Sequence, residues 1–271
     1  MSQSTNTQTI SLPKLILFGD SLTQWSFYSE DSKGLGDVLT TRYAGRATIE
    51  NEGRAGYCST WLLPHFDSII QRVRQQETQP PLLFTIWLGA NDACPPEYRP
   101  HVPLDKFEAN LRYFVDTILA EEKMGTTKVV LIAPPPINLL ASAEKDEFDL
   151  GPKVQKAHAN AAREMKAYKT YVNKAVYARK VMEIAKSYGG KVSDRVVGLD
   201  YWRAVVNFEL KEQGLETLAP DVSVDFEDDD TRLPGSGLQG AKNFRNGMFT
   251  DGLHLGTLVR KPRCRVFTKV S

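Results

Sequence analysis

Apolar residues in this chain fall into short, nearly unbroken runs separated by longer stretches with helical spacing. Residues 15–18, 82–88 and 129–133 are such runs, and each has the length and continuity of a strand covered on both faces. Residues 47–50 and 196–199 are weaker strand candidates. The first of these closes on Asn51 and Gly53, and the run at 129–133 stops at Pro134, Pro135 and Pro136. Between the strands, Phe107, Leu111, Phe114, Val115, Ile118 and Leu119 recur on one helical face. Asp105 and Glu108 predict a capping box at the start of that helix. Residues 155–188, stopped by Gly189 and Gly190, and residues 201–213, ended by Gly214, predict two further helices. Strands alternating with helices predict an α/β domain built on a parallel sheet.

That architecture carries a geometric rule. In open parallel sheets, ligands bind beyond the carboxyl ends of the strands. Ser21 lies just past the first strand, Gly53 and Gly56 past the second, and Asn91 past the third. Residues far apart in sequence are thereby placed on one edge of one sheet. Residues 1–13 are polar and predict a flexible N-terminal arm, followed by a single domain over 14–271.

Composition narrows the function classes. The 271 residues carry 34 basic and 33 acidic side chains, a net charge of +1, which gives no reason to expect nucleic acid as a partner. No apolar stretch reaches the length of a membrane span, and the first residues have neither a basic n-region nor an apolar h-region. Cys58, Cys94 and Cys264 are too few and too irregular for a disulfide framework or a zinc site. A cytoplasmic location is expected, with no metal and no cofactor; a homodimer is left open.

The chemistry gathers at three places. Gly19-Asp20-Ser21-Leu22 follows the first apolar run and offers a hydroxyl nucleophile. Asp251-Gly252-Leu253-His254 offers a base and a carboxylate to orient it. Asp251 and His254 are three apart, so one turn sets them on the same side. The other histidines, His65, His101 and His158, have no acidic partner at fixed spacing. Gly56 offers a backbone N–H without a Cβ to obstruct an approaching oxygen, and Asn91 offers a side-chain amide; both suit an oxyanion hole. Trp25, Tyr57 and Trp61 are candidates for the pocket wall. The hexapeptide at 235–240 spells a dinucleotide-binding pattern, but no strand precedes it and no helix opens after it, so it is assigned to flexible loop. The acidic run at 225–230 lacks calcium-loop spacing and is assigned to a solvated face.

At these residues the chain resembles the GDSL/SGNH hydrolase family. Gly19-Asp20-Ser21-Leu22 looks like its first block and Asn51-Glu52-Gly53-Arg54-Ala55-Gly56 like its second. Gly89-Ala90-Asn91-Asp92 looks like its third, and Asp251-Gly252-Leu253-His254 like its last. The resemblance implies a three-layer α/β/α fold with a flavodoxin-like parallel sheet. It also implies roles: Ser21 as nucleophile and oxyanion N–H donor, Gly56 and Asn91 as the other donors, His254 as base and Asp251 as its orienting acid. Finer features, among them Ser26-Phe27, Gly56-Tyr57 and the prolines at 134–136, resemble the isoamyl acetate hydrolase branch, which implies small acetate esters and water as reactants. Lysophospholipase, thioesterase and carbohydrate deacetylase activities use the same machinery. Cys58-Ser59 stands where that branch often has Asn-Thr. Residues 141–180 and 215–248 are longer than a minimal member needs and are expected to be inserts. The tail at 255–271 is atypical, because Pro262 interrupts the start of a helix; a catalytically impaired binding protein is the alternative that this tail implies.

Overall fold

The computed structural model describes residues 12–27, 34–75, 79–139, 166–189, 194–219, 233–238 and 240–256. The arm at 1–11, residues 155–165 of the expected long helix, His158, the acidic run and the tail beyond 256 lie outside the described residues.

Five parallel strands form one sheet: β1 (Lys14–Gly19), β2 (Thr48–Gly53), β3 (Leu83–Trp87), β4 (Lys128–Ile132) and β5 (Val196–Leu199). Their spatial order is β2-β1-β3-β4-β5. All five expected strands are present, each within a few residues of its expected ends. β2 is an edge strand whose first four residues are only partly covered, which is why its apolar signal is weak.

The helices are α1 (Ser21–Gln24), α2 (Leu35–Arg42), α3 (Leu63–Gln75), α4 (Leu104–Ala120), α5 (Lys166–Tyr188) and α6 (Tyr201–Glu212). The right-handed rule for parallel crossovers sets α3, α4 and α5 on one face of the sheet and α2 on the other. Tyr201 of α6 packs on Trp87 and shares a cleft with Leu35 and Val38 of α2, which places α6 on the α2 side and gives three layers. Four fully buried phenylalanines lock the first face. Phe18 of β1, Phe84 of β3, Phe66 of α3 and Phe114 of α4 have ring centroids 4.8–6.0 Å apart. Each buried ring contributes about 2 kcal/mol.

Three local expectations are corrected. α4 starts at Leu104 behind Pro103, which has no side chain able to cap, so Asp105 and Glu108 form no capping box. Asp105 sits instead inside the first turn, where its charge favours the helix dipole. α2 and α3 were not anticipated, although Leu62, Phe66, Ile69 and Ile70 carry the spacing of a buried helical face. The turn at 233–238 is packed rather than loose. Leu233 and Leu238 are buried, and a Cβ on Gly235 would meet the Ile137 carbonyl oxygen at 2.7 Å.

Candidate active site

In the order β2-β1-β3 the chain reverses direction across the sheet at β1, which opens a crevice at the carboxyl ends of β1 and β3. At the end of β1 only glycine fits. A Cβ on Gly19 would stand 2.3 Å from the Thr23 hydroxyl oxygen and 2.4 Å from the Trp87 carbonyl oxygen. Asp20 then caps α1, accepting the Leu22 N–H at 2.9 Å. Ser21 opens the helix, 5% exposed, with its hydroxyl at the sheet edge.

The partner of that hydroxyl comes from the far end of the chain. His254 Nε2 lies 3.0 Å from Ser21 Oγ, and His254 Nδ1 lies 2.6 Å from Asp251 Oδ2. No helix brings Asp251 and His254 together. Asp251 Oδ1 accepts the N–H groups of Leu253 and His254 at 3.0 and 2.8 Å, and an antiparallel bridge joins Phe249 to Leu255. The segment is a hairpin-like turn closed by its own aspartate. It is anchored at the end of β4: the Asn138 N–H donates to the Gly252 carbonyl at 2.8 Å, and Asn138 Oδ1 accepts the Phe244 N–H at 3.1 Å. Arg245 adds an ion pair to the buried Glu209 of α6 at 3.2 Å.

Partial burial pushes the Asp251 carboxyl up, but the His254 N–H, the imidazole and the Leu253 N–H outweigh it, so the group titrates below its ordinary range. A hydroxyl, an imidazole and an ionised carboxylate in series can pass a proton from serine to histidine.

The ends of β2 and β3 flank the end of β1, with Gly53 and Trp87 in register with Gly19, although Gly56 and Asn91 are not among the residues lining the cleft. The Arg54 N–H donates to the Gly19 carbonyl at 2.9 Å, and the Ala55 N–H donates to Gln24 Oε1 at 2.6 Å. Asn91 donates one amide hydrogen to the Tyr57 carbonyl at 2.8 Å, which leaves the second of its two hydrogens available. Gly56 adopts φ +78°, with open space where a Cβ would stand. A side chain there is disfavoured by backbone conformation, about 1–2 kcal/mol for an L residue, rather than by a clash with neighbouring protein atoms.

A cleft of about 480 Å³, its open mouth included, leads from Ser21 and His254. Leu35, Val38, Trp87, Tyr201 and Leu255 make its walls largely apolar. Trp25 also lines it and packs on the His254 ring, centroids 4.5 Å apart. Tyr57 and Trp61 are not among its lining residues. They are 42% and 40% exposed and form an edge-to-face pair outside it.

The remaining described histidines lie elsewhere. His65 pairs with Glu52 at 2.9 Å, a partner from β2 that its sequence neighbourhood does not reveal. His101 Nδ1 lies 2.7 Å from the Cys94 carbonyl. Among the described residues no group of three or more His, Cys, Asp or Glu side chains could hold a metal ion, and no helix is long and apolar enough to cross a membrane.

A layer of buried polar residues beneath these loops escaped the sequence reading. Asp92 accepts the Ser59 N–H at 2.8 Å, and Asn110 donates to the hydroxyls of Ser59 and Thr60, both at 2.9 Å. Asp20 and Asp92 stand close behind apolar runs inside the quoted motifs, which was the available signal. Lys174 falls on the apolar stripe of α5 beside Tyr171, Ala175 and Ala178, a position at which lysine is rare.

A three-layer α/β/α sheet fold thus carries Ser21, His254 and Asp251 in hydrogen-bonded series at its switch-point crevice. The family model described as GDSL-like lipase/acylhydrolase matches residues 15–258, and the chain belongs to that family. Among curated proteins it is 31% identical over 184 residues to the "Isoamyl acetate-hydrolyzing esterase 1 homolog" of Rattus norvegicus, covering 67% of this chain and 66% of that one. It is 37% identical over 108 residues to the isoamyl acetate-hydrolyzing esterase of Saccharomyces cerevisiae, covering 38% and 43%. The chain thus spans less than two thirds of the length of these relatives. Among solved structures, an acetyl xylan esterase from Geobacillus stearothermophilus shares the fold with a TM-score of 0.55 at 19% identity, covering 96% of this chain and 94% of that one.

Proposed function

We propose that the protein is a serine esterase that cleaves small acyl esters, acetates foremost, through an acyl-enzyme. One observation carries the reading: Ser21 Oγ, His254 and Asp251 stand in hydrogen-bonded series at 3.0 and 2.6 Å at the head of a small apolar cleft. Ser21 attacks the ester carbonyl while His254 takes its proton. The Ser21 and Gly56 N–H groups and the second amide hydrogen of Asn91 hold the oxyanion. His254 then protonates the departing alcohol, and water repeats the sequence on the acyl-serine. Acetate as the acyl group is supported by the similarity to isoamyl acetate-hydrolyzing esterases.

Two measurements test this. A fluorophosphonate probe followed by peptide mapping should place the label on Ser21, and a p-nitrophenyl ester series should show kcat/KM falling from acetate to decanoate. A label elsewhere, or a preference for the long chains, overturns the reading. Asn91→Ala should lower kcat by about a hundredfold with KM little changed, because the amide acts on charge that develops after binding. A rise in KM at constant kcat would place Asn91 in substrate binding instead.

A further inference from the structure

Lys174 of α5 is 4% exposed, and its ammonium donates to the Ala90 carbonyl. Ala90 immediately precedes Asn91. The carboxylates of Asp20 and Asp92 and the thiol of Cys94 lie within electrostatic reach of the same ammonium. Each carboxylate is itself a fastener. Asp20 holds the Leu22 N–H and so the first turn of α1, where Ser21 sits. Asp92 holds the Ser59 N–H and so the loop that follows Gly56. A single buried cation is therefore bonded to the carbonyl before Asn91 and coupled by charge to the two acids that fasten the turn of Ser21 and the loop after Gly56.

We propose that Lys174 is a positioning residue for ester cleavage: its buried ammonium keeps the strand-end turns bearing Ser21, Gly56 and Asn91 in register. The proposal rests on the esterase reading above and adds to it a residue outside the family's motifs.

Two buried carboxylates within electrostatic reach of each other would, without a cation, repel and lack solvation. Burial pushes the Asp20 carboxyl up to about 7 even with Lys174 present, and Asp92 adds to that rise. Burial likewise pulls the Lys174 ammonium down to about 8, against the pull of Asp20, Cys94 and Asp92. Burial leads both shifts, and the opposite charges of Lys174 and Asp20 offset part of its cost. An apolar residue at 174 releases the Ala90 carbonyl, and any uncharged residue, Gln included, leaves the acids without their cation. Substrate still enters the cleft, whose walls Lys174 does not touch, so the loss falls on kcat rather than KM.

The test compares Lys174→Met, Lys174→Gln and Lys174→Arg with the parent protein on p-nitrophenyl acetate, after circular dichroism confirms folding. Lys174→Met should lower kcat at least about tenfold with KM within about twofold. The acid-side limb of kcat/KM should move to higher pH, because Asp20 loses the charge that favours its ionised form. Lys174→Arg should recover most of kcat and return the limb. Parental kcat in Lys174→Met overturns the proposal, and so does an equal loss in the Arg variant, which would assign the effect to packing. Should Lys174→Met fail to fold, the other pair decides: Arg must exceed Gln in kcat at similar KM, and equality sinks the idea. Ser21→Ala in parallel separates the two claims. Turnover retained there refutes the site itself, whereas a normal Lys174→Met beside an inactive Ser21→Ala refutes only the role of the lysine.

Discussion

Ser21→Ala should reduce kcat on p-nitrophenyl acetate by about 10⁴-fold or more and leave the fold intact. The substitution removes one oxygen, which stands 3.0 Å from His254 Nε2. Alanine is well suited to the first turn of a helix, so α1 persists, and the stability change should stay within about 1 kcal/mol. The Leu22 N–H still caps on Asp20, and the cleft keeps its walls. What is lost is the hydroxyl that faces the His254 ring. Steady-state kinetics beside a thermal melt makes the distinction. An alanine variant that keeps even a tenth of the parental turnover would end the acyl-enzyme reading.

Asp251→Asn should cost about 10⁴-fold in kcat by a different route. The new side chain would keep the turn, because its amide oxygen can still accept the Leu253 and His254 N–H groups now held by Asp251 Oδ1. Its amide nitrogen would face His254 Nδ1, where Asp251 Oδ2 now lies at 2.6 Å. A donor there forces the proton onto Nε2, which then points at Ser21 and can no longer accept from it. Asp251 titrates below the ordinary carboxyl range and is ionised wherever an imidazole titrates, so in the parent protein the acid limb reports groups other than this carboxylate. By linkage, the support that the ionised carboxylate lends to its turn is fully present above the ordinary aspartate range. It is lost as the pH falls through the lower value of the folded protein. A near-normal kcat in Asp251→Asn would mean that His254 needs no carboxylate to fix its tautomer.

The strands were legible because strands buried on both faces demand continuous apolar residues, as Leu15, Ile16, Leu17 and Phe18 show. The edge strand β2 signals weakly for the opposite reason: Thr48 and Asn51 face solvent. α3 was missed although Phe66, Ile69 and Ile70 carry its pattern, and α4 was found with the wrong cap, because Asp105 and Glu108 imitate a box that Pro103 cannot complete. Trp25, Tyr57 and Trp61 are equally near the motifs in sequence, yet of the three Trp25 alone reaches the cleft. Sequence proximity carries no information about which way a loop turns.

What the sequence determined alone is the set of reacting groups and their placement: a serine after β1, an asparagine after β3, and a histidine three residues past an aspartate. Those features are local, written in burial patterns and turn residues a few positions apart. Only the tertiary structure decided that Ser21 and His254, 233 residues apart, stand 3.0 Å from each other. It alone also set Lys174 of α5 against the Ala90 carbonyl next to Asn91. The physical reason is that strand order and helix packing choose which distant segments meet, and those choices emerge from the whole core at once rather than from any window of the chain.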